Sequence, residues 1–194
     1  MSMSMDYESM RSLLQKSLKP SRYEHSLGVA ETAAALARRF GVAEEQARVA
    51  GLLHDCAREF PNENLIAEAE ARQIVVEPVE RQMPLLLHAY VGAKLVREKY
   101  GVDDTAVSQA IWRHTVGGAD MTKLDKIIWF ADMIEPRRDY PGVEELRALA
   151  QTADLDVMVL AGLTQSIIFV AQRGGLIHPA TITARNEILL RNKG

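Results

Sequence analysis

Four histidines, His25, His54, His88 and His114, each sit among apolar neighbours. His25 shares a helical face with Val29, Ala33 and Leu36. His54 follows Gly51-Leu52-Leu53, and His88 follows Leu85-Leu86-Leu87. His114 follows Ile111, with Val107 one turn further back. An imidazole turned toward a core needs a partner, and a metal ion is an efficient one. Two carboxylates complete the set. Asp55 directly follows His54, and Asp132 lies inside Ile127-Ile128-Trp129-Phe130-Ala131-Asp132-Met133-Ile134. A carboxylate in so apolar a stretch is costly unless it is paired, hydrogen-bonded or bound to a metal.

Taken singly, each residue has a plainer explanation. A lone histidine on an apolar helix is usually a hydrogen-bonded core residue, and His-Asp dipeptides are common. Asp132 could pair with Arg113 or Lys126. The combination is hard to explain as packing. Mixed imidazole and carboxylate ligation suits iron, manganese or zinc better than calcium or magnesium. Two ions at roughly 3.5–4 Å can share one carboxylate and one water. Asp55 is the expected bridge, with His25, His54 and Asp132 serving one ion and His88 and His114 the other. A water held by such ions ionises near neutral pH and can attack phosphorus in line.

Phosphate also needs cationic clamps, and the arginine fork matches its oxygens. Arg58 follows Asp55 by one turn if the helix continues, which makes it the first candidate. Arg137 and Arg138 follow the Asp132 helix directly, and Arg173 precedes a Gly-Gly turn. Each could equally be a solvated surface arginine. His178, in Ile177-His178-Pro179, could contact substrate or merely orient a turn. Cys56 lies in an apolar stripe and is expected to pack in the core.

The elements that would position these residues read as helices. A first helix runs from about Tyr7 to Leu18. A second opens on a Ser21–Glu24 capping box and stops at Gly41. Further helices span about 43–56, 62–72, from Pro84 to Tyr100, from Asp103 or Asp104 to near His114, from Thr122 to Glu135, 155–173 and 181–191. Residues 74–78 and 136–142 read as loops. The expected architecture is all-α, a single helical domain over residues 1–194, with 1–6 as a flexible leader.

The chain has 194 residues and a formal net charge of -3, so no basic surface of the kind that holds nucleic acid is expected. A small phosphorylated molecule needs only a few local cations. One cysteine excludes an internal disulfide, and the start shows no basic-then-apolar signal pattern. No run of about 18 apolar residues is evident, so no membrane span is expected. A reducing cytoplasm is the simplest compartment. The apolar 155–171 helix could serve the core or a homodimer interface.

The pattern His25, His54-Asp55, His88, His114, Asp132 resembles the HD-domain superfamily of metal phosphohydrolases. The segments around Ser21-Arg22-Tyr23-Glu24-His25, Leu53-His54-Asp55, Leu87-His88-Ala89, Arg113-His114-Thr115, Ala131-Asp132 with Glu135-Pro136-Arg137, and Ile177-His178-Pro179 look like the YqeK family of bacterial symmetrical bis(5'-nucleosyl)-tetraphosphatases. The resemblance spans nearly the whole chain. It implies an HD-type helical bundle that cleaves diadenosine tetraphosphate to two ADP at an iron centre of one or two ions, with manganese as the alternative. Carried over by position, the metal ligands are His25, His54, Asp55 and Asp132. His88 and His114 fall at a second metal or face the phosphates. Asp55 and Arg58 are then the catalytic pair. Arg22, Arg58, Arg137, Arg138, Tyr140, Arg173 and His178 join the two histidines in contacting substrate. Many HD proteins carry lysine where this chain has Arg58. The alternatives are an HD-type enzyme acting on a mononucleotide or cyclic nucleotide, an HD-fold di-iron oxygenase, and a non-catalytic nucleotide-binding module.

Overall fold

The computed structural model describes residues 5–191, and among them every regular element is helical. The elements are α1 (Tyr7–Ser17), α2 (Pro20–Phe40), α3 (Glu44–Leu53), α4 (Leu65–Ala71), α5 (Pro78–Gln82), α6 (Leu87–Tyr100), α7 (Thr105–Arg113), α8 (Lys123–Ile134), α9 (Val143–Thr152), α10 (Leu155–Gln172) and α11 (Pro179–Arg191). Short 3₁₀ turns cover Cys56–Glu59, Asn62–Asn64 and Pro84–Leu86. Of the expected leader, residues 1–4 lie outside the described residues. Met5 packs on the core, and the Asp6 side chain caps α1 by accepting the Ser9 N–H.

α2 lies at the centre, against α3 on one side and α8 on another, while α6 packs on α7 and α7 on α8. One hydrophobic core runs from Met10 on α1 to Ile188 on α11. The α2–α3 crossing is close because residue 51 is glycine. A Cβ there would lie 2.8 Å from the Ala30 Cα and 3.0 Å from the Val29 carbonyl oxygen. That approach brings the end of α3 level with His25 near the start of α2.

Several boundaries differ from the sequence expectation, each for a local reason. The Ser21–Glu24 capping box does not form, because Pro20 already occupies the first turn and Lys19 is the N-cap. Gly41 does end α2, in the left-handed conformation at φ 68°. The expected 43–56 helix stops at Leu53. The His54 ring takes the Gly51 carbonyl that a continuing helix would offer to the Asp55 N–H. Arg58 therefore sits in a 3₁₀ turn, not one α-helical turn beyond Asp55. The same device ends α7, where the His114 ring bonds the Ile111 carbonyl.

The expected start of α8 is realised as a capping box between Thr122 and Asp125. Helices α5 and α9 lie where the sequence reading assigned none. α5 has only five residues, too few for a periodic signal. α9 begins behind Gly142 at φ 93°, and its loop-like opening conceals Leu146 and Ala150, which reach the core. α10 also departs from expectation. Its 18 residues average a hydropathy of 1.6, long and apolar enough to cross a membrane, yet only 28% of them are buried. Asp156 and the Thr164-Gln165-Ser166 break interrupt the apolar run without lowering the mean below that threshold.

Candidate metal centre

Six side chains from five parts of the fold converge. His25 comes from the start of α2, His54 and Asp55 from the turn that ends α3, His88 from the start of α6, His114 from the end of α7, and Asp132 from α8. All but Asp132 are buried. His25 Nε2 lies 3.2 Å from His54 Nε2, and His88 Nε2 lies 3.1 Å from His114 Nε2. Asp55 stands between these pairs. Its Oδ2 is 3.5 Å from His54 Nε2 and 3.8 Å from His25 Nε2. Its Oδ1 is 3.1 Å from His88 Nε2 and 3.7 Å from His114 Nε2. Asp132 Oδ1 closes the first half, 3.0 Å from His25 Nε2 and 3.8 Å from His54 Nε2.

The far nitrogen of every ring is already committed. The Nδ1–H groups of His54 and His114 donate to the carbonyls of Gly51 and Ile111, both at 2.7 Å, and that of His88 donates to Leu85. A carbonyl can only accept, so each of these three rings carries a proton on Nδ1 and turns its Nε2 inward, where in the neutral form it presents a lone pair. His25 Nδ1 meets the Glu135 carboxylate at 2.9 Å. Converging lone pairs repel unless a cation lies among them. The donor set therefore fits a divalent metal ion: imidazole nitrogens fixed in the ligating tautomer, and a carboxylate shared between two pockets.

The electrostatics agree with that reading. Burial depresses the pKa of His54 to about 4, so its ring stays neutral at physiological pH. Burial alone would raise Asp55, but His54, His114 and His88 together hold its carboxyl well below the usual range. Burial likewise works against ionised Asp132, and contacts with His25, His54 and Arg138 outweigh it. His25 is disfavoured as a cation by burial, yet Asp132 and Glu135 raise its pKa. Neither plainer partner neutralises Asp132, because Arg113 pairs with Asp125 and Lys126 with Asp156. Burial drives the Cys56 thiol far up, which leaves it inert.

The arginines divide. Arg22 Nη1 donates to Asp55 Oδ2 at 2.8 Å. Arg22 and Arg58 line a cavity of about 490 Å³ with Lys19, Phe60 and Asn62. Arg138 is engaged by Asp132, whose backbone carbonyl accepts its Nε–H at 2.7 Å and whose carboxylate meets its Nη2. The Tyr140 hydroxyl donates to the Met133 carbonyl. Arg137, Arg173 and His178 make no hydrogen bond or ion pair with the six-residue cluster among the described residues. Arg137 faces Glu24, Arg173 stacks on Phe169 at 3.7 Å, and His178 donates to the buried Glu80 while accepting the Ala180 N–H.

Glu135 stands in the Glu135-Pro136-Arg137 segment that carries the resemblance, but the sequence assigns it no role; it is 1% exposed. A signal did exist: Gly28 lies inside a helix, where glycine costs about 1 kcal/mol relative to alanine and marks a close approach.

Comparison with known proteins places these residues in context. Residues 22–137 match the HD domain family. A symmetrical bis(5'-nucleosyl)-tetraphosphatase of Halalkalibacterium halodurans is 39% identical, the match covering 93% of this chain and 96% of that protein. One of the same description from Bacillus subtilis is 36% identical, over 95% of this chain and 98% of that protein. A crystal structure of a predicted HD superfamily hydrolase involved in NAD metabolism, from Clostridium acetobutylicum, superposes with a TM-score of 0.91 at 39% identity, covering 96% of this chain and 98% of that one.

Replacing Asp55 by alanine removes the carboxylate common to both halves. The expected result is a folded helical protein that copurifies with markedly less metal and has lost activity on nucleotides, checked by circular dichroism, elemental analysis and turnover. Unchanged metal content and turnover would contradict the bridging arrangement.

Proposed function

Because this chain belongs to the HD domain family, we propose that it is a metal-dependent phosphohydrolase that cleaves diadenosine tetraphosphate symmetrically to two ADP. The observation that carries this reading is the position of Asp55, one carboxylate oxygen toward each histidine pair. The proposed ligands are His25, His54, Asp55 and Asp132 in one half, with Asp55, His88 and His114 in the other. Iron is the proposed metal, with manganese as a substitute. Bound there, such ions supply Lewis acidity toward phosphoryl oxygens and a water acidic enough to act as nucleophile at neutral pH.

The protein's own groups do the rest. Arg22 sits directly on the open side of Asp55, and Arg58 extends the cationic wall away from it. We assign this wall to the phosphate chain of the departing ADP, whose charge it offsets. Burial lowers the Arg58 pKa, but the guanidinium remains charged, and desolvation strengthens its pull on phosphate. Arg138 braces Asp132. With half of its phosphate chain along this wall, a long anion would bring its central anhydride toward Asp55, and this would give the symmetrical cut.

Incubating manganese- or iron-loaded protein with a panel of nucleotides tests the assignment. Diadenosine tetraphosphate should yield ADP alone, with one solvent oxygen per cleavage. AMP with ATP, hydrolysis confined to mononucleotides or cyclic nucleotides, or oxygen consumption without phosphate products would each contradict it.

We further propose that the protein forms a homodimer in the cytoplasm through α10 and α11. Val157, Ile168, Phe169, Leu176, Ile182 and Leu190 are exposed on or between these helices, an apolar face that a second copy would cover. Sedimentation should show a dimer that Ile168→Glu with Phe169→Glu converts to a monomer of unchanged helicity. A monomeric parent, or tight binding to neutral lipid vesicles, would contradict this.

A further inference from the structure

Three of the four rings are anchored by neutral backbone carbonyls, and only His25 is anchored by a carboxylate. That carboxylate has a purpose-shaped seat. Glu135 Oε1 accepts the His25 Nδ1–H at 2.9 Å, and Oε2 accepts the Arg137 backbone N–H at 2.8 Å. The Glu135 backbone carbonyl accepts from Arg147 Nη2 at 2.7 Å, which fixes the main chain behind it. The seat exists because residue 28, one turn after His25, is glycine. A Cβ there would lie 2.5 Å from Oε2.

The rest of the centre sharpens the asymmetry. The His25 half has Asp132 and a share of Asp55 facing it, with Glu135 behind. The His88 half has one carboxylate oxygen, the other of Asp55, with the neutral Thr115 hydroxyl 3.1 Å from His114 Nε2 and 3.4 Å from His88 Nε2, and both its rings are backed by uncharged groups. An imidazole that donates to a carboxylate is a more basic ligand and is held more firmly in orientation. A buried carboxylate, for its part, needs a cation nearby to offset its burial.

We infer that Glu135 is a positioning residue that makes the two halves of the centre unequal, giving the His25–His54–Asp132 half the tight grip on its metal ion and leaving the His88–His114 half with a weak one. Gly28 is part of the same device, since it makes room for the carboxylate. This inference rests on the metal centre proposed above. The functional consequence would be an order of assembly, with the His25–His54–Asp132 half loaded before the His88–His114 half.

The test is manganese titration of the metal-stripped full-length protein, followed by calorimetry and by electron paramagnetic resonance. The parent should bind in two steps of clearly different affinity. Glu135→Gln keeps the shape and loses the charge. It should weaken the tight step by about 10–100-fold and move the weak step by less than about twofold. Gly28→Ala displaces the same carboxylate from the other side and should give the same selective loss. Two equal steps in the parent, equal weakening of both steps in a variant, or an unchanged tight step in either folded variant would overturn the inference. Failure of the parent to bind manganese at all would overturn the metal centre itself, a distinguishable result.

Discussion

The Nε2 atoms of His88 and His114 face each other at 3.1 Å, a spacing that two neutral imidazole lone pairs keep only with a proton or a metal cation between them. The rings cannot turn away, because the opposite nitrogen of each is tied to a backbone carbonyl. Rotating either ring would leave that carbonyl, and a ring N–H, without a partner in a buried place, at a cost of about 1–3 kcal/mol for each group. The same holds for His54, while His25 is tied to a buried carboxylate. The constraint is thus built into the backbone. Where α3 and α7 end, the imidazole takes the carbonyl that the next helical turn would have used, and the helix stops. The ends of these helices and the direction of their histidine rings are one event.

Much of the fold serves this convergence. α2 carries His25 and is approached by α3 at Gly51, so His54 arrives level with it. α8 runs alongside α2 and delivers Asp132, half-buried, from a stretch whose Ile127, Ile128 and Phe130 are fully buried. α6 and α7 pack together and present His88 and His114 as a pair. Asp55, in the turn after α3, is where the pairs meet.

The six clustered residues were legible because each breaks a rule of packing: a polar group where the helical period calls for an apolar one. What was not legible depends on neighbours far away in sequence. Glu135 looks like an exposed helix end until Gly28 is known to face it. Arg58 was placed by assuming a continuous helix, and the ring of His54 breaks that helix. Arg22 carried no signal beyond its position in a familiar motif, since nothing local says that its guanidinium reaches Asp55. α5 is too short to show a period, and α9 hides behind a glycine turn. The hydropathy of α10 was underrated because polar residues interrupt its run, and its exposure is a property of the assembled surface alone.

The central claim is that Asp55 joins two metal positions, each served by a pair of inward-facing histidine Nε2 atoms. The most direct measurement is a crystal structure of the manganese-loaded protein with anomalous scattering recorded at an energy where manganese contributes strongly. The account predicts two peaks, one on each side of the Asp55 carboxylate, the first within bonding distance of His25, His54 and Asp132 and the second of His88 and His114. A lone peak that does not touch Asp55, or histidine rings turned with Nδ1 toward the centre, would contradict it.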